Sequence, residues 1–134
     1  MADEIPSIIH HASVGTNNFE AAIAFYDKVM ATIGASRVMD FPGVAVAYGK
    51  QFPEFWVQKP ADGQSADTAN GVHFCFIASS KEAVNAFYSA AIEAGGKDDG
   101  EPGPRPDYGP DYYGAFVRDL DGHKIEATIV TGAP

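Results

Sequence analysis

One phrase occurs twice in this 134-residue chain, and the repetition limits what it can fold into. "HASVGTNNFEAAIAFY" begins at His11 and "HFCFIASSKEAVNAFY" at His73. At an offset of 62 residues the two align without a gap: His11 on His73, Glu20 on Glu82, Ala24-Phe25-Tyr26 on Ala86-Phe87-Tyr88, Gly34 on Gly96. Similarity at a single offset, in identity and in patterning, reads as an internal duplication. The modules cover about residues 5–60 and 70–131, and the stretch 60–70, poor in large apolar residues, links them within one domain spanning 1–134.

Each copy opens with an alternating apolar segment, "SIIHHASVG" or "GVHFCFIA", which suits a strand. A helix follows. Asn17 with Glu20, and Ser79 with Glu82, have the spacing of a capping box. Apolar residues then recur at helical spacing, and Gly34 and Gly95-Gly96 stand where the helices stop. Strand-like runs come next: "SRVMDF", "VAVAYG" and "EFWVQ" in the first copy, then a weak segment, "YGAFVRD" and "HKIEATIV" in the second, the last two joined by an Asp121-Gly122 turn. The expected fold class is therefore α+β: two tandem βαβββ modules forming a cupped, half-open mixed sheet with helices on its outer face. Matching "KQFPEFWVQ" to "DGHKIEATI" takes an offset of 70, so the second module carries about eight more residues, assigned to the Gly/Pro/Tyr-rich loop "DDGEPGPRPDYGPDYYG". Trp56 then stands where Glu126 stands.

The formal net charge of −9, with Lys and Arg scattered singly, argues against nucleic acid and anionic membrane surfaces as partners. No run approaches the length of a membrane span, and "MADEIPSIIHH" lacks the pattern of a signal peptide. The one cysteine, Cys75, excludes an internal disulfide and fits a reducing compartment, the cytoplasm; it reads as a small buried residue.

Strand alternation sorts the polar residues. His11 and Ser13, His73 and Cys75, and Glu126 and Thr128 lie opposite the apolar sets that a helix must cover. Two imidazoles and one carboxylate on equivalent strands can converge near the pseudo-twofold axis. Such a set gives a divalent ion (Zn, Ni, Mn, Co or Fe) three ligands and leaves positions open for chemistry. His10 reads as structural, and His123, after a turn, as exposed or at the cavity rim. The loop "PGPRPDYGPDYYG" reads either as a surface connection or as a lid. In the lid reading Arg105 binds an anionic group and Tyr108, Tyr112 or Tyr113 meets substrate, Tyr113 being the one expected to face the cavity.

The segments "IHHASVGTNNFEAAIAFYDKVM", "GVHFCFIASSKEAVNAFY" and "YYGAFVRDLDGHKIEA" resemble the vicinal oxygen chelate superfamily, which includes glyoxalase I, extradiol dioxygenases, fosfomycin-resistance thiol transferases and bleomycin-resistance proteins. The resemblance covers residues 8–130 and implies paired βαβββ modules around one divalent metal ion, with ligands at His11, His73 and Glu126. Glyoxalase I has a fourth ligand in the last strand of the first module, where this chain has Trp56; a three-ligand set is more similar to the dioxygenases and fosfomycin-resistance enzymes.

The function expected is a metal-dependent enzyme of the glyoxalase-like type, a lyase or isomerase. It would act on a small oxygenated substrate chelated through neighbouring oxygens, with Glu126 as ligand or, partly detached, as base. Ser13, Trp56, Arg105 and Tyr113 are the expected substrate contacts. Two alternatives stand beside it: a metal-free binding protein that sequesters a small molecule, and an Fe(II) dioxygenase. The resemblance also implies a homodimer.

Overall fold

The computed structural model describes residues 5–130. In chain order it contains β1 (Ala12–Gly15), α1 (Phe19–Ala31), β2 (Ser36–Phe41), β3 (Ala45–Gly49) and β4 (Phe55–Gln58), then β5 (His73–Ala78), α2 (Lys81–Glu93), β6 (Lys97–Pro104), β7 (Tyr113–Arg118) and β8 (Lys124–Ile129). These are two βαβββ modules in an α+β fold. The strands form two open four-stranded sheets, β1-β4-β3-β2 and β5-β8-β7-β6. In each the first strand runs parallel to the fourth and the remaining pairs are antiparallel. The duplication extends to the register: Ser13 lies opposite Trp56, and Cys75 opposite Glu126.

One face of each sheet is apolar and packs with its helix, and the two covered faces share one core. Val14, Val46, Tyr48, Phe55 and Val57 meet Phe25, Tyr26, Val29 and Met30 of α1, while Ala115, Val117, Ile125 and Ala127 meet Val84, Phe87 and Ala91 of α2. Each large side chain so buried contributes about 1.5–3 kcal/mol relative to exposure. Phe55 bridges the modules, its ring 5.7 Å from Phe74 and 4.9 Å from Phe76. No helix among the described residues is long and apolar enough to cross a membrane.

Three local expectations shift. The helix caps are Asn18 and Ser80, one residue beyond Asn17 and Ser79: their side chains accept from the N–H groups of Ala21 (3.2 Å) and Ala83 (3.1 Å). The first strand begins at Ala12 rather than residue 7, leaving Ile8 to His11 exposed and outside the ladder. Half of the expected loop is a strand, β6, although it holds Pro102 and Pro104. It lies at the sheet edge, where a missing N–H costs no ladder bond, and its pairing slips between Asp98 and Gly103.

The "DLDGH" turn ties the modules together. Asp119, 5% exposed, accepts from the Tyr26 hydroxyl of α1 (2.6 Å) and from the N–H groups of Asp121 (3.0 Å) and His123 (2.8 Å). Asp121 accepts the N–H of Asn17 (2.9 Å), and Nε2 of His123 donates to the carbonyl oxygen of Gly15 (2.7 Å). His123 is thus half-buried in a joint between modules, not a free surface histidine.

Burial, reinforced by Asp119, raises Tyr26 well above the ordinary 10.0; burial and Asp27 raise Tyr48 as well. The unfolded chain releases both protons near pH 10 and the folded chain does not. Stability is therefore complete below that pH and falls above it, at most by about 2.7 kcal/mol per pH unit for the pair. Guanidinium midpoints measured from about pH 9 to 11.5 should fall accordingly; a flat profile would contradict this.

Candidate functional site

The second sheet leaves one face uncovered by α2. Ladder parity places His73, Cys75 and Ile77 of β5 on it, together with Lys124, Glu126 and Thr128 of β8 and Gly114, Phe116 and Arg118 of β7. Although on this open face, Glu126 is only 2% exposed. Its Oε1 lies 3.2 Å from Nε2 of His73, and its Oε2 accepts the Tyr112 hydroxyl at 2.5 Å. A buried carboxylate is costly without partners. These two satisfy it, and no Lys or Arg pairs with it among the described residues. Burial and the Glu126 bond push the Tyr112 hydroxyl up, so it stays protonated as a donor.

Gly114 makes room for this arrangement. A Cβ there would lie 3.0 Å from Oε2 of Glu126 and 3.3 Å from the Tyr112 ring. Gly114→Ala is expected to part the Tyr112–Glu126 pair, costing about 1 kcal/mol of stability. Affinity for any divalent ion held through Glu126 should fall roughly tenfold, as for a displaced partner of a ligand. Thermal melts and metal titration of the variant check both.

Cys75 is exposed, against the expectation of a small buried residue, with Sγ 4.0 Å from the Tyr112 oxygen. Desolvation of that corner, then the Glu126 charge, pushes the thiol up to about 12, so it is not a thiolate nucleophile at neutral pH.

The first module presents a different surface. His11 is exposed just before β1, its Nδ1 2.8 Å from Nδ1 of His10 and its ring edge-on to Trp56 at 6.4 Å. Ser13 is exposed beside it, opposite Trp56 in the ladder. Trp56 is half-buried and stacks on Phe41, with centroids 6.2 Å apart and planes at 14°. Where the second sheet has a carboxylate, the first has an aromatic shelf.

Two of the expected substrate contacts are otherwise engaged. The Arg105 guanidinium donates to the carbonyl oxygens of Glu101 (2.6 Å), Gly103 (3.0 Å) and Pro104 (3.2 Å) and lies over the Phe116 ring, so it holds the loop in shape. Tyr113 does not face the open side: its hydroxyl donates to Oδ1 of Asn85 on α2 (2.7 Å), and the Lys81 ammonium sits over its ring. The physical reason is parity, because Tyr113 shares a face with Ala115 and Val117 of the core. The same count, run back from Phe116 through Gly114, reaches Tyr112, the tyrosine that does meet Glu126; that signal was in the sequence.

An imidazole nitrogen and a carboxylate oxygen converge at His73 and Glu126, a donor set suited to borderline divalent metals. The third expected ligand, His11, is not with them. No group of three His, Cys, Asp or Glu side chains among the described residues is placed to hold a metal. One chain thus presents two donors at one place and one at another.

The paired βαβββ modules, each a helix on an open four-stranded sheet, define a class of protein. The model of the glyoxalase/bleomycin resistance protein/dioxygenase superfamily matches residues 8–127. The chain belongs to that superfamily. A glyoxalase/bleomycin resistance protein from Albidiferax ferrireducens is 34% identical, over 93% of this chain and 100% of that one, with a TM-score of 0.82. Two further structures share the fold. Lactoylglutathione lyase from Agrobacterium tumefaciens is 24% identical over 92% of this chain and 94% of its own, TM-score 0.62. A fosfomycin resistance protein from Listeria monocytogenes is 16% identical over 97% and 96%, TM-score 0.62. No curated protein matches the chain.

Proposed function

We propose that this protein is a divalent-metal-dependent enzyme of the glyoxalase-like type, a lyase or isomerase. Its substrate would be a small molecule bound through two neighbouring oxygens. The observation that carries the reading is Glu126: a carboxylate 2% exposed, on the open face of a sheet, within 3.2 Å of a histidine and with no permanent cation. One imidazole and one hydroxyl are partners that suit a metal ligand better than a structural ion pair.

The third ligand, His11, would come from a second copy of the chain, so that the working unit is a homodimer. Two features support this. Residues 8–11 lie outside the ladder, with Ile8 98% and Ile9 72% exposed, and Ile77 of the edge strand β5 is 62% exposed. A second copy that covered these apolar groups could bring one module's His11 to the other's His73 and Glu126. The ion, one of Zn, Ni, Mn, Co or Fe, would supply Lewis-acid stabilisation of charge developing on the substrate oxygens. The chain's own residues would do the rest. Tyr112 holds one oxygen of Glu126 and leaves the other toward His73, while Trp56, Phe41 and Ser13 wall the substrate space. The lone free thiol is consistent with a reducing compartment, the cytoplasm.

A second reading, a metal-free binder of a flat small molecule, is favoured by one observation, the Trp56–Phe41 stack. Elemental analysis of protein purified without chelator separates the two. The enzyme reading expects one ion per chain, lost in His11→Ala, His73→Ala and Glu126→Ala. A protein that takes up no metal even on reconstitution, yet whose Trp56 emission is quenched by flat ligands, would be the binder.

A further inference from the structure

We infer that the second module carries a pocket for an anionic group, a carboxylate or phosphonate, beside the Glu126–His73 pair. The identity of the molecule it serves rests on the proposed reading of that pair; the pocket itself does not. The register of the second sheet sets Lys97 opposite Arg118, Arg118 opposite Lys124, and Lys124 opposite His73. Three of the nine Lys and Arg residues of a chain with net charge −9 thus stand in one row on the open face, ending at a histidine of the candidate site. Like charges directly opposite each other destabilise a sheet, so the row is a cost that a bound anion would offset. Asp99 answers only part of it, 2.9 Å from Nε of Arg118 and 3.9 Å from Nζ of Lys124.

Arg118, Lys124 and His123 also line a cavity of about 170 Å³ closed on the other side by Ser13 and Gly15 of β1 and by Thr68 of the linker. At about 30 Å³ per water, that is room for a carboxylate or phosphonate and a few further atoms. Asp67 is the one carboxylate in its wall. The cations are held in place in advance. Arg118 donates through Nε to Asp99 and through Nη1 to the Gly122 carbonyl oxygen (3.2 Å), leaving Nη2 without a protein partner among the described residues. The Lys124 ammonium sits over the Phe116 ring at 5.1 Å. Cations already ordered lose less freedom when an anion arrives.

The duplication supplies an internal control. At the place of Lys124 the first module has Glu54, and at the place of Arg118 it has Gly49. The equivalent row there, completed by Ser36 opposite Gly49, holds no cation, so the row of cations is particular to the second copy. Lys124 and Glu126 are two residues apart on one face of β8, about 7 Å along the strand. A molecule with its anionic end in the pocket therefore has its other end within reach of Glu126 when only a few atoms long.

The test uses the full chain, stripped of metal by chelator, titrated with inorganic phosphate, methylphosphonate, acetate and, as a neutral control, acetamide. Amide shifts of residues 118, 123 and 124 and the emission of Trp56, the one tryptophan, report binding. Wild type should bind at least one of the anions and not acetamide, with Lys124→Gln weakened roughly tenfold or more. Lys28→Gln, on the exposed side of α1, should be unchanged. Arg118→Gln should weaken binding likewise; should it not fold, Arg118→Lys, which keeps the charge but loses the planar fork, should bind more weakly than wild type. Acetate binding without phosphate or methylphosphonate would identify a carboxylate pocket, and the reverse a phosphonate or phosphate pocket. No binding, or binding indifferent to Lys124, overturns the inference and leaves the metal reading untouched. Anion binding by a chain that never takes up metal keeps the pocket and removes the enzyme reading.

Discussion

Glutamine in place of Glu126 is expected to abolish metal binding at the proposed centre while leaving the fold at least as stable as wild type. The side chain is 2% exposed and its partners are His73 and the Tyr112 hydroxyl. Glutamine has the same shape, and its carbonyl oxygen still accepts from Tyr112. What is lost is the negative charge, whose burial is a cost in the metal-free protein. Stability should hold or rise by about 1 kcal/mol, the behaviour of a site kept for function rather than for the fold. Metal affinity should fall by roughly a thousandfold, well beyond the 10–100-fold cost of losing a ligand's partner, and turnover should fall with it. Chemical denaturation and metal titration of the same sample check the two halves. A Glu126→Gln variant that binds metal normally, or one that unfolds, would show that the carboxylate is structural.

The largest expected effect on stability lies away from the site. Gly49 is buried at the end of β3, where the chain doubles back into β4 and the N–H of Glu54 bonds the carbonyl oxygen of Tyr48 (3.1 Å). A Cβ at residue 49 would sit 1.8 Å from the Phe52 carbonyl oxygen and 3.0 Å from its carbon. Backbone cannot yield as a side-chain end does, so Gly49→Ala must displace the 50–54 segment and with it Phe55 and Trp56. The expected loss is about 3 kcal/mol or more, lowering Tm by about 10 °C. Gly43→Ala is the comparison. Its φ of +74° carries strain, but nothing lies within 4 Å of the added atom, and about 1 kcal/mol is expected. Equal losses in the two variants would mean that the close approach at residue 49 does not matter.

The architecture was legible because a duplication repeats its own evidence. The 62- and 70-residue offsets put Trp56 where Glu126 stands, and the ladders do place Ser13 with Trp56 as they place Cys75 with Glu126. Strand parity put His73 and Glu126 on polar faces; their contact also needs β5 beside β8, and the sequence reading expected them together with His11. What was not legible depended on context beyond a single strand. β6 contains two prolines and reads only as a weak segment running into loop, since nothing in the sequence says that it is an edge strand. The alternation around His11 reads as strand, but the chain pairs only from Ala12 onward. Asp119 reads as turn chemistry; its bond to Tyr26 spans 93 residues, and no local pattern announces it. Tyr113 is the instructive miss, since the parity that placed Glu126 also assigns Tyr112 to the open face.

The proposed metal centre takes His11 from one copy of the chain and His73 with Glu126 from another. Mixing two inactive variants tests it most directly. His11→Ala and Glu126→Ala each spoil every site in a homodimer built this way. Unfolded together and refolded, they should give mixed dimers holding one intact site and one doubly broken site. The mixture should therefore recover bound metal, and activity once a substrate is known, that neither parent shows. If wild type binds metal and the mixture recovers none, the three ligands do not come together across two chains, and a centre shared between copies is ruled out.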